Sequence, residues 1–573
     1  MKRFASIDFL RGFAIFMMLI LHMVSHTLNV DLLTSDLSKV KFLEFILMIV
    51  LPFGGGLAGF FLMVSAMGNT VSMEHELSRN TPGHVVATRQ VVGGLILLFF
   101  AMLVEGVIGY HGAVGENIQT ALVAASNPAL GPAKWTWDVA TWRFNHFETI
   151  HTIAWCIILN GLIHGFLSSR EKYRDKTKLI RTYILLAIIV LVLTPVMWAL
   201  AKIISPGYPS HLATYYLSYP RIGTDSIWRF ILVFFLQPLA GYPEPVFPYL
   251  AASFIGTIFG LFLTMPKEQR SVKPFTKTAL TAGVVMYLIG FAGVIVNVVY
   301  IISTKGFDSG LDVYLHIWDH RGWVPELRGT PWLGWYFQFM LLNGFGILLI
   351  MSMLRLVELR GKAKAFGRKS GYIRRFGFVA FTNYTIQFMY YIAAFIAIDW
   401  IFGNVYGKNV GLWGETIVTV ILGITIMTLI NLLWEKFRYA GSLEWMVKQV
   451  NFALNPVRRR ILKEKGVKWY QAGLLNVKGA FYNADWQNIV ETKDIDHHAG
   501  EESVLARKLA QVGFVFPLFS FVGFFIARKA KALEGNTREN KKALAWTTIS
   551  VVFFFVWLIA FFILSPSSFG ISM

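Results

Sequence analysis

Charged residues are scarce in this chain. Of its 573 residues, 15% are charged and 55% are hydrophobic, whereas a soluble domain carries about 25% charged residues. The mean hydropathy is +0.54. Apolar runs recur along the whole chain, and many reach the roughly 20 residues needed to cross a hydrocarbon layer. Because a backbone in lipid must satisfy its own polar groups, the sequence predicts an all-α fold, a polytopic membrane helix bundle.

Cysteine is almost absent, and this excludes two kinds of site. The single cysteine, Cys156, lies in an apolar run, so neither a disulfide within the chain nor a cysteine-based metal site is possible. The first apolar run also lacks a small-residue cleavage site, so we expect a retained first helix rather than a signal peptide. No phosphate-binding loop of the type GXXXXGK(S/T) occurs in the chain.

Basic residues exceed acidic ones and give a net charge of +20. On a soluble protein this charge would suggest nucleic-acid binding. Here the Lys and Arg residues lie in short loops between apolar runs, as the positive-inside rule predicts. We therefore expect a lipid bilayer, and no nucleic acid, as a partner.

The hydrophobic runs predict ten transmembrane spans. They cover roughly residues 6–26, 42–67, 89–109, 149–168, 179–203, 247–265, 279–303, 332–355, 376–402 and 413–434. With a cytoplasmic N-terminus, this count puts the basic loops 169–181, 266–277 and 355–375 together on the cytoplasmic side. The prediction is a multi-pass protein of the plasma or inner membrane.

The segments predicted on the other side are rich in tryptophan. Residues 110–147 and 304–331 either belong to the interfacial aromatic belt or cover a substrate cleft, and the sequence leaves both interpretations open. The short apolar run 226–241 is predicted to be interfacial or re-entrant.

The chain changes character near residue 450. We predict a core domain over 1–450, a polar and cytoplasmic segment over 451–510, and a membrane-associated helical hairpin over 511–573. The hairpin would contain the apolar runs 512–527 and 543–565, and its topology stays open.

The first span carries four ionisable residues, Asp8, Arg11, His22 and His26. Such groups are costly inside a membrane and suggest function. Arg11 and His22 are eleven residues apart, which places them on one helix face about 16 Å apart along the axis. Asp8 lies one turn from Arg11 and is predicted to orient it.

Two interpretations of this helix compete. In the functional one, Arg11 docks an anionic cytosolic ligand and His22 is a general base. In the other, Arg11 extends to lipid headgroups and His22 is a packed, hydrogen-bonded histidine. His22 and His26 could also bind a metal, but no HEXXH motif accompanies them and we predict no metal.

Five segments of the sequence give the chain a family resemblance. The string DFLRG lies at 8–12, and ten residues separate its Arg11 from His22. An arginine followed by ten residues and a histidine resembles the signature of transmembrane acyltransferases. Further segments resemble the heparan-α-glucosaminide N-acetyltransferase-like branch and its bacterial relatives: LPFGGGLAGFFLMVS at 51–65, FPYLAASFIGTIFG at 247–260, FTNYTIQFMY at 381–390 and WEKFRYAGSLEW at 434–445. Ser442 stands where the family usually has proline. The resemblance covers about residues 1–450.

The resemblance implies transfer of an acyl group, often acetyl from acetyl-CoA, to a hydroxyl or amine of a glycan or lipid. The donor would be cytosolic and the acceptor often on the far side. His22 would be the base or a transient acyl carrier. The coenzyme's phosphates require Arg or Lys.

The candidate site residues follow from these roles. The catalytic candidates are His22, His26 and Glu105. The donor-binding candidates are Asp8, Arg11, Arg374, Arg375, Arg438 and Asn383. Glu148 and His151 at the start of the fourth span, the nearby His146, and Gln387 on the ninth span are further polar groups, and helix–helix hydrogen bonding would also explain such groups.

Two other functions compete with acyl transfer. One is a transporter or flippase for a lipid-linked or acidic solute, although no convincing internal repeat supports it. The other is an inactive structural subunit of a larger membrane assembly, since fold does not fix function. A homo-oligomer is also compatible with the sequence.

Overall fold

The fold was taken from a computed structural model. It describes residues 3–29, 57–204, 220, 222–240, 244–306, 309–310, 331–464, 466, 475–489, 501–514 and 517–564. Parts of four predicted segments therefore lie outside the described residues: the start of the second span, most of the segment 304–331, and stretches of the segments 451–510 and 511–573.

The described residues are helical, apart from loops and two isolated β-bridges. The helices are α1 Ala5–Thr27, α2 Leu57–Leu77, α3 Gly83–Leu103, α4 Ala113–Ser126, α5 Asp138–Trp142, α6 Thr149–Ser168, α7 Lys176–Ile204, α8 Ile227–Ala240, α9 Val246–Thr264, α10 Val272–Lys305, α11 Pro331–Leu356, α12 Ala363–Lys369, α13 Gly371–Phe378, α14 Ala380–Thr385, α15 Met389–Phe395, α16 Trp413–Lys436, α17 Leu443–Leu454, α18 Pro456–Glu464, α19 Glu501–Gly513, α20 Pro517–Glu534 and α21 Arg538–Leu564.

Nine helical stretches within the described residues are long and apolar enough to cross a membrane. They confirm the prediction of an all-α, multi-pass membrane protein, and they coincide with every predicted span except the second. There, α2 is described only from Leu57 and continues to Leu77, ten residues beyond the predicted end at 67. The helix α8 has 14 residues, too few to span a bilayer.

The chain divides into two compact units, one of residues 1–30 and 50–489 and one of residues 31–49 and 490–573. In the second unit, α19, α20 and α21 pack through the small buried residues Ala506, Ala527 and Ala543. The hydroxyls of Ser520 and Ser550 lie 2.6 Å apart. Neither α20 nor α21 is among the nine stretches, so membrane association of this region stays a prediction.

In the first unit, α1 packs against α2, α13 and α16. It crosses α13 at two glycines. A Cβ atom added to Gly12 would lie 2.1 Å from the carbonyl oxygen of Ile373, and one added to Gly377 would lie 2.4 Å from the Gly12 nitrogen. The glycine of the DFLRG motif therefore permits the close crossing that fixes α1.

The predicted span 376–402 is not one continuous helix. It consists of α14, a 3-10 turn at Ile386–Phe388, α15 and a π turn at Ile396–Ile401. The start of α14 is bound by the Glu444 carboxylate, which accepts from the Phe381 backbone nitrogen (2.6 Å) and the Thr382 hydroxyl (2.5 Å). A helix leaves its first N–H groups unsatisfied, so this contact lets a new helix begin at that point.

A buried polar network joins α2, α6, α7 and α9. His164 bonds Glu74 through Nε2 (2.9 Å) and the Tyr183 hydroxyl through Nδ1 (3.0 Å). The Tyr183 hydroxyl donates to Asn160 (3.0 Å). Lys176 lies 2.7 Å from Glu74. We call these residues, together with Thr257, which accepts from Asn160 (2.6 Å), the Glu74 cluster.

Candidate active site

The amino-terminal end of α1 presents a partly exposed guanidinium. Arg11 Nη2 lies 3.2 Å from Asp8 Oδ1, and Asp8 Oδ2 lies 2.8 Å from Arg3. The Arg11 side chain is 38% exposed, while that of Asp8 is 11% exposed. One carboxylate thus orients two arginines, and Arg11 keeps donor groups that an anionic ligand can approach.

A short piece of the polar segment after residue 450 lies against this end of α1. The backbone of Arg3 bonds Asp485 and Gln487, each at 2.8 Å. The Ile489 nitrogen donates to the Glu358 carbonyl (3.1 Å). Residues 475–489 therefore pack on the helical core rather than extending away from it.

Two of the predicted phosphate ligands are engaged inside the protein. Arg374 is 3% exposed and donates to the carbonyls of Gly367 (2.8 Å) and Ala480 (2.9 Å). Its guanidinium lies 4.6 Å from the Trp486 ring, and burial lowers the pKa of Arg374 to about 10. Arg375 lies 2.6 Å from Glu435.

The other two donor-site candidates differ from each other. Arg438 is exposed and has a left-handed backbone, with φ of 51°. Asn383 is buried; it donates to the Phe376 carbonyl (3.0 Å) and accepts from Asn431 (2.9 Å). Asn383 therefore ties α14 to α13 and α16.

The two histidines of α1 have separate partners. His22 Nδ1 lies 2.8 Å from Gln387 Oε1, and its half-buried ring lies 5.3 Å from the Tyr110 ring. His26 is buried and its Nε2 lies 3.0 Å from the Tyr406 hydroxyl. These contacts favour separate roles over a shared metal site.

Glu105 stands in a buried ionic cluster where α3 gives way to a π turn at Val104–Ile108. We call Glu105, Arg143, His146 and Glu148 the Glu105 cluster. Arg143 lies 3.8 Å from Glu105 and 3.4 Å from Glu148. His146 lies 3.0 Å from Glu148. The Tyr384 hydroxyl donates to Glu105 (2.7 Å).

The Glu105 cluster has ligand types that metals accept. Ligand atoms of Glu105, His146 and Glu148 all lie within 4.8 Å of one another. However, the Arg143 guanidinium already places a positive charge beside both carboxylates. This favours an ion-pair cluster over a metal centre.

The Glu105 cluster and His22 are contiguous. The Tyr110 ring, which contacts His22, lies 5.8 Å from the Tyr384 ring. Burial opposes ionisation of Glu148, but the hydrogen bond from His146 and the positive charges of His146, Arg143 and His22 lower the pKa of Glu148 to about 2. His22 and the charges of the Glu105 cluster therefore share one region of the protein.

The structure thus divides the predicted site residues. It links Glu105 to His22 through the side chains of Tyr384 and Tyr110, while Arg11 and His22 lie about 16 Å apart along α1. Arg143, Tyr110 and Tyr384 were not among the predicted site residues. Arg143 has a recognisable signal, since it precedes His146 and Glu148 within six residues at the entry to an apolar run.

Two of the recognised motifs meet in space. Thr382 of FTNYTIQFMY bonds Glu444 of WEKFRYAGSLEW, and the Leu443 nitrogen donates to the Thr382 hydroxyl (2.9 Å). Burial raises the pKa of Glu444. Ser442, at the position usually held by proline, accepts from the Trp445 nitrogen (3.2 Å) and begins α17. The serine therefore supplies a helix cap at this position.

The multi-pass helical bundle carries an arginine and a histidine on one face of its first helix, as the resemblance to transmembrane acyltransferases implies. Residues 3–117 match the family described as heparan-alpha-glucosaminide N-acetyltransferase, catalytic. The match confirms the resemblance and supports a membrane acetyltransferase-like function in general. The matched range contains Asp8, Arg11, His22, His26 and Glu105. No curated protein matches the chain.

Proposed function

We propose that this protein moves an acyl group, acetyl in the first instance, from acyl-CoA to a hydroxyl or amine of a glycan or lipid. The observation that carries the proposal is the His22–Gln387 contact of 2.8 Å on the helix that also presents Arg11. Nδ1 of His22 is fixed by this bond, so Nε2 is left to act on a substrate.

Arg11 is the proposed ligand for the phosphates of the donor. Its guanidinium is oriented by Asp8 and remains partly exposed. Charge-assisted hydrogen bonds of this kind are the strong ones in anion recognition. Arg374 is bound to two backbone carbonyls and Arg375 to Glu435. We therefore assign these two arginines to the wall of the donor site rather than to contact with the phosphates.

The separation of Arg11 and His22 fits a donor of extended shape. The two residues lie about 16 Å apart along α1. An acyl-CoA carries its phosphates at one end and its thioester at the end of a long pantetheine arm. With a cytoplasmic N-terminus, the phosphates would stay near the cytosol and the thioester would reach His22 inside the membrane.

In the proposed reaction, His22 Nε2 takes the proton of the acceptor hydroxyl or amine. The acceptor then bonds to the acyl carbon, and the bond from that carbon to sulfur breaks. The sulfur leaves with the electron pair and takes the proton from His22, so charge and atoms balance. Glu105 and His26 lie near His22, where they would bind the acceptor or orient it towards His22.

The first test is donor binding. Acetyl-CoA would be titrated calorimetrically into the purified protein in detergent, for the wild type, Arg11→Ala and Arg460→Ala. Loss of a charge-assisted contact costs about 1.5–3 kcal/mol, so Arg11→Ala should weaken binding at least tenfold. Arg460, an exposed residue paired with Glu464, is the matched control and should leave affinity unchanged.

Two results would contradict the proposal. One is the absence of saturable acetyl-CoA binding by folded wild-type protein. The other is equal affinity for the wild type and Arg11→Ala, which would place the phosphates elsewhere.

A further inference from the structure

Gln387 lies in the 3-10 turn that interrupts the predicted ninth span. It is the middle residue of the 3-10 turn Ile386–Phe388, between α14 and α15, and its side chain is fully buried. A 3-10 turn within a longer helix often marks a functional position. The turn directs this side chain towards His22 of α1.

The two ends of the Gln387 amide are used differently. Oε1 lies 2.8 Å from His22 Nδ1. Nε2 is buried and has no hydrogen-bond partner among the described residues. A buried donor left unsatisfied costs about 1–3 kcal/mol, so natural folds rarely keep one without a use.

We infer that Gln387 is a catalytic residue whose Nε2 donates a hydrogen bond to the oxygen that becomes negatively charged during acyl transfer. This inference rests on the proposed function and adds a second role beside the general base. This hydrogen-bond donor belongs to the same side chain that fixes His22, so the amide N–H and the general base are held in a fixed position relative to each other. A preorganised donor in a site shielded from water stabilises a developing oxyanion more than it does in water.

The step is balanced. The acceptor oxygen or nitrogen bonds to the acyl carbon as His22 Nε2 takes its proton. The π electrons of the carbonyl move to its oxygen, and this oxyanion accepts the hydrogen bond from Gln387 Nε2. When the carbonyl re-forms, the carbon–sulfur bond breaks, and the coenzyme sulfur takes the electron pair and the proton held by His22.

One substitution separates the two roles of the amide. Gln387→Glu keeps an oxygen that accepts from His22 Nδ1 and removes the N–H donor. Gln387→Met removes both groups at similar volume. Gln449→Glu makes the same chemical change at another buried amide, on α17, and is the matched control.

The experiment measures kcat and KM for acetyl transfer from acetyl-CoA, with thermal unfolding of each variant. If Nε2 is the donor, Gln387→Glu and Gln387→Met both lower kcat by about 10²–10³, with little change in KM for the donor. Gln449→Glu keeps the wild-type kcat. If Gln387 only positions His22, Gln387→Glu retains wild-type kcat and Gln387→Met alone is impaired.

Wild-type kcat in Gln387→Glu would overturn the inference and leave the proposed function intact. Wild-type kcat in Gln387→Met would overturn it as well, even if the glutamate variant does not fold. A folded wild type that transfers no acyl group from acetyl-CoA or longer acyl-CoAs would remove the proposed function and this inference together.

Discussion

Two buried ionic clusters lie in the same helical unit and differ in how completely they are bonded. In the Glu74 cluster, every ionisable side chain has a close partner: Glu74 bonds His164 and Lys176, and His164 also bonds Tyr183. In the region of the Glu105 cluster, Glu105 Oε2 has an arginine at 3.8 Å but no hydrogen bond, and the nearby Gln387 Nε2 has no partner among the described residues.

This difference separates a structural role from a chemical one. Buried polar groups are normally satisfied, and fully bonded networks fix a unique packing. A buried polar group without a hydrogen-bond partner calls for an explanation, and binding of a ligand or a part in the chemistry is one of them. The comparison therefore favours a packing role for the Glu74 cluster, which joins α2, α6 and α7, and it agrees with the proposed chemical role of the His22 region.

The largest expected effect comes from two histidine-to-alanine exchanges, at His164 in the Glu74 cluster and at His22 beside the Glu105 cluster. His164→Ala removes one hydrogen bond from Glu74, which keeps Lys176, and one from Tyr183, and each buried group that loses its partner costs about 1–3 kcal/mol of unfolding free energy. His22→Ala removes one hydrogen bond of a half-buried ring, but it should lower acetyl transfer by about 10²–10⁴ because the general base is lost.

The measurement combines thermal unfolding in one detergent with transfer activity per folded molecule. We expect His164→Ala to unfold at a clearly lower temperature and to keep its activity while folded. An equal loss of activity per folded molecule in both variants would end the distinction between the clusters.

The pH dependence of stability sharpens the comparison at the Glu105 cluster. The pKa of Glu148 is about 2 in the folded protein, below its unfolded value of about 4.3. A carboxylate with a depressed folded pKa stabilises the protein above the unfolded pKa, and that stabilisation is lost as the pH falls through both values. Unfolding of the wild type should therefore become easier between about pH 5 and pH 3.

Glu148→Gln should flatten this dependence. Its unfolding temperature should fall less than that of the wild type over the same pH window, measured by differential scanning fluorimetry. Glu171→Gln is the control, because Glu171 is 89% exposed. A wild-type slope in Glu148→Gln would show that Glu148 is not held ionised by Arg143 and His146.

Much of the fold follows from local sequence. The long apolar runs predict the spans because length and hydropathy are properties of the segment itself. The break between α13 and α14 was not predicted, since the carboxylate that begins α14 comes from Glu444, 63 residues away along the chain. Periodicity within a window contains no information about such a partner.

The site residues, like the fold, were predictable only where the relevant spacing lies within one local segment. His22 and Arg11 are recognisable on one helix, because their spacing alone places them on one face. The burial of Arg374 was not predictable, because the sequence places this residue in a basic loop. Some of its carbonyl and aromatic partners come from residues 475–489, far along the chain. The Tyr384–Glu105 bond likewise joins residues 279 positions apart.

The smallest expected effect comes from removing one tyrosine hydroxyl at each cluster. The two hydroxyls are those of Tyr183, within the Glu74 cluster, and Tyr384, which donates to Glu105. Tyr183→Phe removes the oxygen that joins His164 and Asn160, and it should lower the unfolding free energy by about 1–3 kcal/mol because two buried groups lose a partner. Tyr384→Phe removes the donor to Glu105.

Tyr384→Phe should act mainly on catalysis, because Glu105 then loses the bond that holds it beside the His22 site. We expect acetyl transfer to fall about tenfold, equivalent to about 1.4 kcal/mol in the activation free energy, with a smaller change in unfolding temperature than in Tyr183→Phe. Side-by-side kcat and unfolding measurements decide the matter. If the two variants exchange these effects, the fully bonded cluster is the functional one and the assignment of both regions reverses.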